Sequence, residues 1–286
     1  MKGGSHRVCE LQSSRPASLG KTRPVLKWAG GKRQLLPHLL KAIPHSFRRY
    51  IEPMVGGGAL FFALSPERAV IADSNPELIN FYKVLVSDLD GLASAASQWK
   101  VDRTAFYTVR ELRFENLDPI VAAARLLYLN RTCFNGLYRV NRFGHFNVPC
   151  GNYASPKIVD MDILRAARSC LERTLIVLGD YKDVVRKHAV SGDVIFLDPP
   201  YVPISKYSDF KRYTRQQFRE NDHHEMRSVV EELRDRGCTP VITNSNHPLI
   251  RKLYAGFQVQ LVRSQRNINS RGDGRVGQDI IITLPT

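Results

Sequence analysis

The stretch that decides the fold is Val194-Ile195-Phe196-Leu197-Asp198-Pro199-Pro200-Tyr201, in which four apolar residues are followed at once by an acid, two prolines and a tyrosine. A short unbroken apolar run is typical of a strand that is covered on both faces of a parallel sheet. In an open α/β sheet, ligands bind beyond the carboxyl ends of the strands. The spacing therefore predicts that residues 198–201 lie at a binding edge.

Two strand–helix units precede this stretch. Residues 50–53 fit a strand that ends at a turn, and the glycines 56–58 open into a predicted helix over 59–64. Residues 69–73 fit a second strand, which ends in Asp73 and leads to another helix near Pro76. Tandem units of this kind indicate a parallel sheet.

The pattern of alternating strands and helices is broken once. Further strands are predicted at 175–178, 241–243, 258–262 and 279–283, and helices at 35–40 and 226–233. The apolar run at 175–178 is expected to be covered on both faces, like 194–197. Residues 81–161 instead contain helical stretches and a block dense in Asn, Arg, Gly and aromatic residues.

These observations predict an α/β fold: an open, Rossmann-like sheet with one mostly helical insertion. We expect residues 1–22 to be a mobile extension, because they are rich in Gly, Ser and Arg without periodicity. Residues 23–80 and 162–286 would form the sheet domain. Residues 81–161 would form the inserted domain.

The composition narrows the choice of partners. A formal charge of +15 and a pI of 9.8 indicate a polyanionic partner, either nucleic acid or an anionic membrane surface. Because no run approaches the roughly 18 apolar residues of a membrane span, and no secretory signal is visible, we expect a cytoplasmic protein.

The cysteines and histidines give no metal-binding pattern. The five cysteines lack a Cys-x-x-Cys pair and are expected to be reduced; they are Cys9, Cys133, Cys150, Cys170 and Cys238. His223 and His224 are assigned to a helix surface, and no metal is expected.

Residues 198–201 suit chemistry on the amino group of a nucleobase. The adenine amino nitrogen is a poor nucleophile because its lone pair is delocalised into the ring. Asp198 and the Pro199 carbonyl can each accept one amino hydrogen and so localise that lone pair toward an incoming methyl group. Pro200 keeps the carbonyl rigid, and Tyr201 offers a ring on which an extruded base can stack. The alternative is a proline turn whose polar groups are satisfied locally.

The glycine loop at 52–58 suits a nucleoside cofactor. Glycines let the backbone approach a nucleoside closely, and Asp73, at the end of the next strand, can accept hydrogen bonds from ribose hydroxyls. Because Phe61 stands at the third glycine position of the dinucleotide pattern, a cofactor without phosphates fits better.

Four motifs, taken in order, resemble the Dam-type (D12 class) family of site-specific DNA adenine methyltransferases. They are Lys27-Trp28-Ala29-Gly30-Gly31-Lys32, residues 52–58, residues 129–153 and residues 198–201. The resemblance covers about residues 25–284. It implies methyl transfer from S-adenosylmethionine to N6 of a flipped-out adenine in double-stranded DNA, with GATC as the suggested site, and a helical target-recognition domain.

The resemblance also implies the roles of particular residues. The residues that match cofactor contacts are Trp28, Lys32, Gly56, Gly58, Asp73, Asp180, Tyr181 and Asp198. Those expected to contact DNA are Lys27, Phe134, Asn135, Arg139 and Asn141. Arg139 would read a guanine edge through two hydrogen bonds. Arg131 and Arg142 would contact phosphates or solvent, and residues 202–219 would close over the DNA.

Other functions remain open at this point. The same acid and aromatic ring suit a cytosine amino group or RNA adenine, and a catalytically idle DNA-binding regulator could keep the fold. We expect a monomer that acts with or without a cognate restriction endonuclease.

Overall fold

A mixed sheet forms the centre of the molecule in the computed structural model, which describes residues 13–14, 22–28, 30, 32, 34–203, 218–265 and 276–285. The strands are β1 (Ser13–Ser14), β2 (Ser46–Phe47), β3 (Tyr50–Glu52), β4 (Ala69–Asp73), β5 (Thr174–Leu178), β6 (Val194–Leu197), β7 (Thr239–Ser245), β8 (Gln258–Gln265) and β9 (Val276–Thr283). The helices are α1 (Leu36–Ala42), α2 (Ala59–Leu64), α3 (Pro76–Ser87), α4 (Leu89–Ser97), α5 (Arg103–Glu111), α6 (Pro119–Thr132), α7 (Met161–Leu171), α8 (Tyr181–His188), α9 (Glu220–Asp235) and α10 (Pro248–Leu253).

The order of the strands creates a binding crevice. Among the described residues, seven strands join in the order β5-β4-β3-β6-β7-β9-β8, and β1 pairs separately with β2. The first five are parallel, whereas β9 runs antiparallel to β7 and β8. The chain winds outward from β3 through β4 to β5, and then returns to β6 on the other side of β3. The strand order therefore reverses between β3 and β6, where open α/β sheets bind ligands.

The sheet separates two apolar clusters because neighbouring residues of a strand point to opposite faces. Val194 and Phe196 pack into one cluster, and Ile195 and Leu197 into the other. All four are buried, as their unbroken apolar sequence predicts. The end of β6 is consequently held from both sides.

The helical segment between β4 and β5 packs on one of these faces. Its central helix, α6, starts at Asp118, whose carboxylate accepts hydrogen bonds from the amides of Ile120 and Val121 at 2.9 and 3.1 Å. Residues of α3, α4, α5, α6 and α7 share one apolar cluster with β3, β4 and β6. The insertion predicted at 81–161 thus shares the core of the sheet, and its proposed boundary at residue 80 falls within α3.

The structure confirms the predicted α/β architecture and corrects some details. Helix α2 and strands β4 and β6 have the predicted bounds. The prediction that β5 is covered on both faces is wrong: β5 is an edge strand, and Leu175 and Leu178 are 49% and 51% exposed. The helices α4, α7, α8 and α10 were not predicted.

Two further predictions concern the chain termini and surface. Of the predicted mobile extension, residues 1–12 and 15–21 lie outside the described residues, whereas β1 pairs with β2. His223 is buried beside Phe218, at 4.8 Å between ring centres, so its assignment to the surface is wrong; His224 is exposed. No helix in the described ranges is long and apolar enough to cross a membrane.

A buried ion pair ties the helical segment together, and it provides a test of the packing. Arg125 bonds Glu77 at 2.9 Å, and the two side chains are 3% and 8% exposed. Arg125→Met should lower the free energy of unfolding by about 3–5 kcal/mol, because it leaves the buried Glu77 carboxylate without its partner. Urea denaturation measures the loss.

The matched control is Arg168→Met, which breaks an exposed pair with Glu172 at the same 2.9 Å distance. Exposed pairs contribute at most about 1 kcal/mol. Equal losses in the two variants would contradict a buried structural role for Arg125.

Candidate active site

Each oxygen of the Asp198 carboxylate contacts a different side chain. Its Oδ2 lies 2.8 Å from the Nζ atom of Lys32, and the two side chains are 20% and 9% exposed. Its Oδ1 accepts a hydrogen bond from the hydroxyl of Thr243. Residues 197 and 242 are paired in the parallel register of β6 and β7, so Asp198 and Thr243 follow side by side. The predicted acid therefore has a fixed orientation at the end of β6.

Lys32 links this acid to the aromatic ring of Tyr201. Its Nζ atom donates to the Gly30 carbonyl at 2.7 Å and lies 4.5 Å from the centre of the Tyr201 ring. Burial alone would lower the pKa of Lys32, but the negative charge of Asp198, with a smaller contribution from Tyr201, raises it above the usual value. Lys32 therefore stays protonated and keeps a positive charge beside Asp198.

The segment after Asp198 is anchored to β7. The amide of Val202 donates to the Asn244 side chain at 3.1 Å, and the hydroxyl of Ser245 donates to the Val202 carbonyl at 2.7 Å. Thr243, Asn244 and Ser245 are all buried. None of these three was predicted from the sequence as a site residue. The signal that could have found them is a run of polar residues at the end of an apolar strand.

Glu52, at the end of β3, is a second buried acid near Asp198. Its Oε2 accepts a hydrogen bond from the Tyr50 hydroxyl at 2.8 Å. Burial, strengthened by the negative charge of Asp198, raises the pKa of Glu52 to about 8, against the opposing effects of the Tyr50 bond and Lys32. The two acids thus differ in chemistry, because Glu52 carries a proton at neutral pH.

The glycine loop is built for close backbone approach. Gly56 has a left-handed backbone with φ of 48°, and a Cβ atom at this position would lie 2.7 Å from Cδ1 of Trp28. The Gly56 amide donates to Asp73 at 3.0 Å, and the Asn75 amide donates to the other oxygen of Asp73 at 2.9 Å. Gly58 caps α2 with φ of 66°. Trp28, Gly56 and Asp73 are therefore brought together.

Asp180 and Tyr181 follow β5 at the same edge of the sheet. The Gly179 amide donates to the Asp73 carbonyl at 3.1 Å, which joins the ends of β4 and β5. Asp180 is exposed and caps α8 by accepting from the Lys182 amide at 2.9 Å. Tyr181 is buried, and its hydroxyl has no hydrogen-bond partner among the described residues.

The residues predicted to contact DNA lie in a second group, on and beside the segment 133–150, which we call the 133–150 loop. Phe134 is 50% exposed, and Asn135 is exposed in a left-handed conformation with φ of 55°. Arg139 is exposed, and its Nε donates to the Asn147 side chain at 2.8 Å. Asn141 accepts from the amides of Phe143 and His145 at 2.9 and 3.1 Å, which shapes the tip of the loop.

The segment that carries Lys27 and Trp28 joins the two groups of residues. Asn130 accepts from the Lys27 amide at 2.9 Å and donates to the Lys27 carbonyl at 2.7 Å. Trp28 stacks on Tyr138 with ring centres 4.9 Å apart and planes inclined by 17°. Sequence reasoning did not identify Asn130 or Tyr138 as positioning residues.

Arg131 lies beside the 133–150 loop, at the end of α6. Arg131 donates to the Val25 carbonyl at 2.8 Å, a packing contact that was not predicted from the sequence. Within the described residues, no group of three or more His, Cys, Asp or Glu side chains is arranged to hold a metal ion. Most of the predicted closing loop, residues 204–217, lies outside the described residues.

The raised pKa of Glu52 gives a test of the site's electrostatics. The folded protein keeps the Glu52 proton at pH values where the unfolded chain has lost it. The contribution of this retained proton to the free energy of unfolding is fully present below about pH 4.5 and declines as the pH rises toward 8. The wild-type free energy of unfolding, measured relative to that of Glu52→Gln, should therefore fall across this window by up to about 1.4 kcal/mol per pH unit.

Urea denaturation of both proteins at intervals from pH 5 to pH 9 measures this difference. Glu172→Gln, at an exposed acid, serves as the control and should show no such slope. A wild-type-minus-variant difference that is constant between pH 5 and 8 would mean that Glu52 is ionised in the folded protein.

Known proteins of one family are similar to this chain over most of its length. Residues 28–268 match the model of the D12 class N6 adenine-specific DNA methyltransferases. The chain is 37% identical to a type II methyltransferase, M1.LlaDCHI, of Lactococcus lactis subsp. cremoris, covering 88% of this chain and 92% of that protein. It is 35% identical to the type II methyltransferase M.MjaIII of Methanocaldococcus jannaschii, covering 88% and 95%.

A DNA adenine methylase of Vibrio cholerae is 33% identical, and the alignment covers 93% of this chain and 97% of the relative. The family match spans most of the sequence and includes the Trp28, Gly56 and Asp198 motifs. The resemblance predicted from the sequence is confirmed. The chain therefore belongs to the D12 class of N6 adenine-specific DNA methyltransferases.

Proposed function

We propose that this chain transfers the methyl group of S-adenosylmethionine to N6 of an adenine that is displaced from duplex DNA. The observation that carries the proposal is the carboxylate of Asp198, which is fixed by Lys32 and Thr243 and lies beside the ring of Tyr201. It stands at the strand-order reversal, where a ligand is expected.

The residues around the glycine loop fit a nucleoside cofactor. The Trp28 ring packs directly against Gly56, and the carboxylate of Asp73 keeps acceptor capacity beyond its backbone bonds that can receive a ribose hydroxyl. Asp180, which is exposed at the same edge of the sheet, can serve the same ligand. When it is bound, S-adenosylmethionine supplies an electrophilic methyl group on a positively charged sulfur.

Asp198 can prepare the adenine amine for that methyl group. Each carboxylate oxygen has two lone pairs, so the bonds from Lys32 and Thr243 leave capacity for one amino hydrogen. The carbonyl of Pro199 would accept the other hydrogen, and the nitrogen lone pair would then point away from the ring. The polar groups are in place before the substrate arrives, so little reorganisation is needed.

Lys32 has a further role in this proposal, besides the cofactor contact that the family resemblance implies. Glu52 is protonated, and the charged ammonium group of Lys32 lies 2.8 Å from the Asp198 carboxylate. The ammonium group would stabilise that charge while the active site excludes water. Tyr201 provides the stacking surface for the base.

The 133–150 loop supplies the proposed contacts to DNA. Phe134 and Asn135 are exposed, and Phe134 has the size to fill the space beside a displaced base. Arg139 presents an exposed guanidinium, the group that most often reads guanine in the major groove. The net charge of +15 favours association with the phosphate backbone. GATC is the first target sequence to test.

We further propose that the enzyme acts as a monomer in the cytoplasm. Two of the relatives are named type II methyltransferases, and this naming supports a modification role beside a cognate restriction endonuclease. The name of the Vibrio cholerae relative specifies no such system. Both settings use the same reaction.

The first prediction concerns the acid. Asp198→Asn keeps the size of the side chain but removes its charge, and it should lower kcat by at least about 100-fold. Transfer of tritiated methyl groups to a duplex that contains GATC measures the loss, and circular dichroism checks the fold. Asp235→Asn, at an acid whose side chain is 69% exposed, should keep normal activity.

Near-normal turnover by Asp198→Asn would refute the assignment of this acid. A duplex that already carries N6-methyladenine at the target should accept no label. Label found on cytosine would instead support N4 methylation. A wild-type protein that binds DNA but transfers no methyl group would be the idle regulator.

The second prediction concerns sequence reading. Arg139→Ala should reduce discrimination against a changed guanine by about 10- to 100-fold, because the guanidinium would no longer bond the base edge. Nonspecific duplex affinity should change little. Arg142→Ala removes an exposed arginine that lies over Phe143, and it should weaken binding to all duplexes alike. Unchanged discrimination by Arg139→Ala would exclude it as the reader.

A further inference from the structure

Two cysteines face each other at the base of the 133–150 loop. Cys133 directly follows α6, and it pairs with Cys150 in an isolated antiparallel bridge. The amide of Phe134 donates to the Pro149 carbonyl at 2.9 Å, and the amide of Gly151 donates to the Thr132 carbonyl at 2.8 Å. These bonds flank the cysteines, so the two form a non-hydrogen-bonded pair.

That register is compatible with a disulfide. Non-hydrogen-bonded antiparallel partners have Cα atoms about 4.5 Å apart and side chains on the same side of the ladder. Disulfides span Cα separations of about 4.4–6.8 Å. No other described cysteine is placed opposite a second one: Cys170 contacts Ser65 and Thr22, and Cys238 donates to the Val190 carbonyl. Cys9 lies outside the described residues.

Both thiols are reduced, and they occupy different environments. Cys133 is buried and donates to the Leu137 carbonyl at 3.2 Å, whereas Cys150 is half-buried and lies 3.4 Å from the Gly151 carbonyl. Burial raises the pKa of Cys133 to about 12, and the nearby charge of Lys27 opposes this shift. Cys150 is thus the thiol that an oxidant reaches first.

We propose that Cys133 and Cys150 form an oxidation-sensitive disulfide site that joins the two ends of the 133–150 loop and thereby controls its fit to DNA. The oxidant is of the peroxide class. The Cys150 thiolate attacks a peroxide oxygen, so that an S–O bond forms, the O–O bond breaks, and one water leaves after proton uptake. The Cys133 sulfur then attacks the Cys150 sulfur, the S–O bond breaks, and a second water leaves.

This sequence is balanced, because two thiols and one hydrogen peroxide give one disulfide and two waters. Each sulfur loses one electron, and the peroxide gains two. A small external thiol or a protein dithiol reverses the reaction by exchange. The resting protein with two free thiols is the reduced state of the switch.

The site is placed where it can affect DNA recognition, and this part of the inference rests on the proposed function. The residues proposed to contact DNA that lie between the two cysteines are Phe134, Asn135, Arg139 and Asn141. A disulfide brings Cβ atoms to about 3.8 Å, whereas paired strands hold them about 4.5–5.5 Å apart. Because non-hydrogen-bonded pairs lie at the short end of that range, oxidation draws the two Cβ atoms together by about 0.7 Å. It also removes the thiol donor from the Leu137 carbonyl, two residues from Arg139.

The test starts with a peptide map. The purified full chain is treated with hydrogen peroxide, its free thiols are blocked, and it is digested with trypsin without reduction. The sequence predicts that Cys133 lies in peptide 132–139 and Cys150 in peptide 143–157. A joined species that is lighter than the sum of the two peptides by two hydrogen atoms is expected. It should be absent from Cys133→Ser and Cys150→Ser and present in the matched control Cys238→Ser.

The same samples are then assayed for methyl transfer. Oxidation of the wild type should lower kcat/KM for duplex DNA by roughly tenfold, because small displacements of positioning groups slow catalysis strongly. The KM for S-adenosylmethionine should stay unchanged, and dithiothreitol should restore the activity. Treatment with hydrogen peroxide should leave kcat/KM of the Cys150→Ser variant unchanged.

The outcomes separate the claims. If peroxide oxidises Cys150 without forming the joined peptide, the disulfide site is wrong. If the disulfide forms but kcat/KM for duplex DNA does not change, the proposed control over DNA recognition is wrong. The same holds if peroxide lowers the activity of Cys150→Ser as much as that of the wild type. If the reduced wild type transfers no methyl group, the proposed function fails, while the peptide map still decides whether the disulfide forms.

Discussion

The contact between Lys32 and Asp198 is the interaction on which the active site depends. A carboxylate that is largely removed from water needs a positive partner and hydrogen-bond donors to offset its lost hydration. Lys32 supplies that partner at 2.8 Å, and Thr243 fixes the other oxygen. Glu52, which lacks an equivalent cation at bonding distance among the described residues, has its pKa raised to about 8. The two neighbouring acids therefore have different partners: Asp198 is paired with the charged Lys32, and Glu52 is bonded to the Tyr50 hydroxyl.

The segment around Trp28 connects this chemistry to the surface that faces the proposed substrate. Asn130, near the end of α6, forms hydrogen bonds with both the amide and the carbonyl of Lys27. The Trp28 ring fills the space above Gly56 on one side and stacks on Tyr138 on the other. Tyr138 is the immediate neighbour of Arg139. The Trp28 ring therefore contacts both the glycine loop and the 133–150 loop.

Much of the architecture was predictable, because local sequence determines it. The apolar runs at β4 and β6 and the helix after Gly58 need no knowledge of distant residues. The motif at 198–201 also revealed the acid and the ring. The bond between Thr243 and Asp198 could not be predicted, since it depends on the register between β6 and β7. The exposure of Leu175 follows only from the position of β5 at the sheet edge.

The residues that sequence reasoning missed have a common physical cause. Asn130 and Tyr138 are separated from their partners by about a hundred residues of chain, and only the packing of the helical segment on the sheet brings them together. The raised pKa of Glu52 is likewise a property of burial. Buried polar contacts between distant elements are therefore the part of this site that needs coordinates.

The most direct measurement of the central claim is a crystal structure of the enzyme with S-adenosylhomocysteine and a duplex that contains GATC. We expect the target adenine to be stacked on Tyr201, with N6 within about 3 Å of both the Asp198 carboxylate and the Pro199 carbonyl. An adenine N6 bonded to other groups, with Asp198 still engaged only by Lys32 and Thr243, would contradict it.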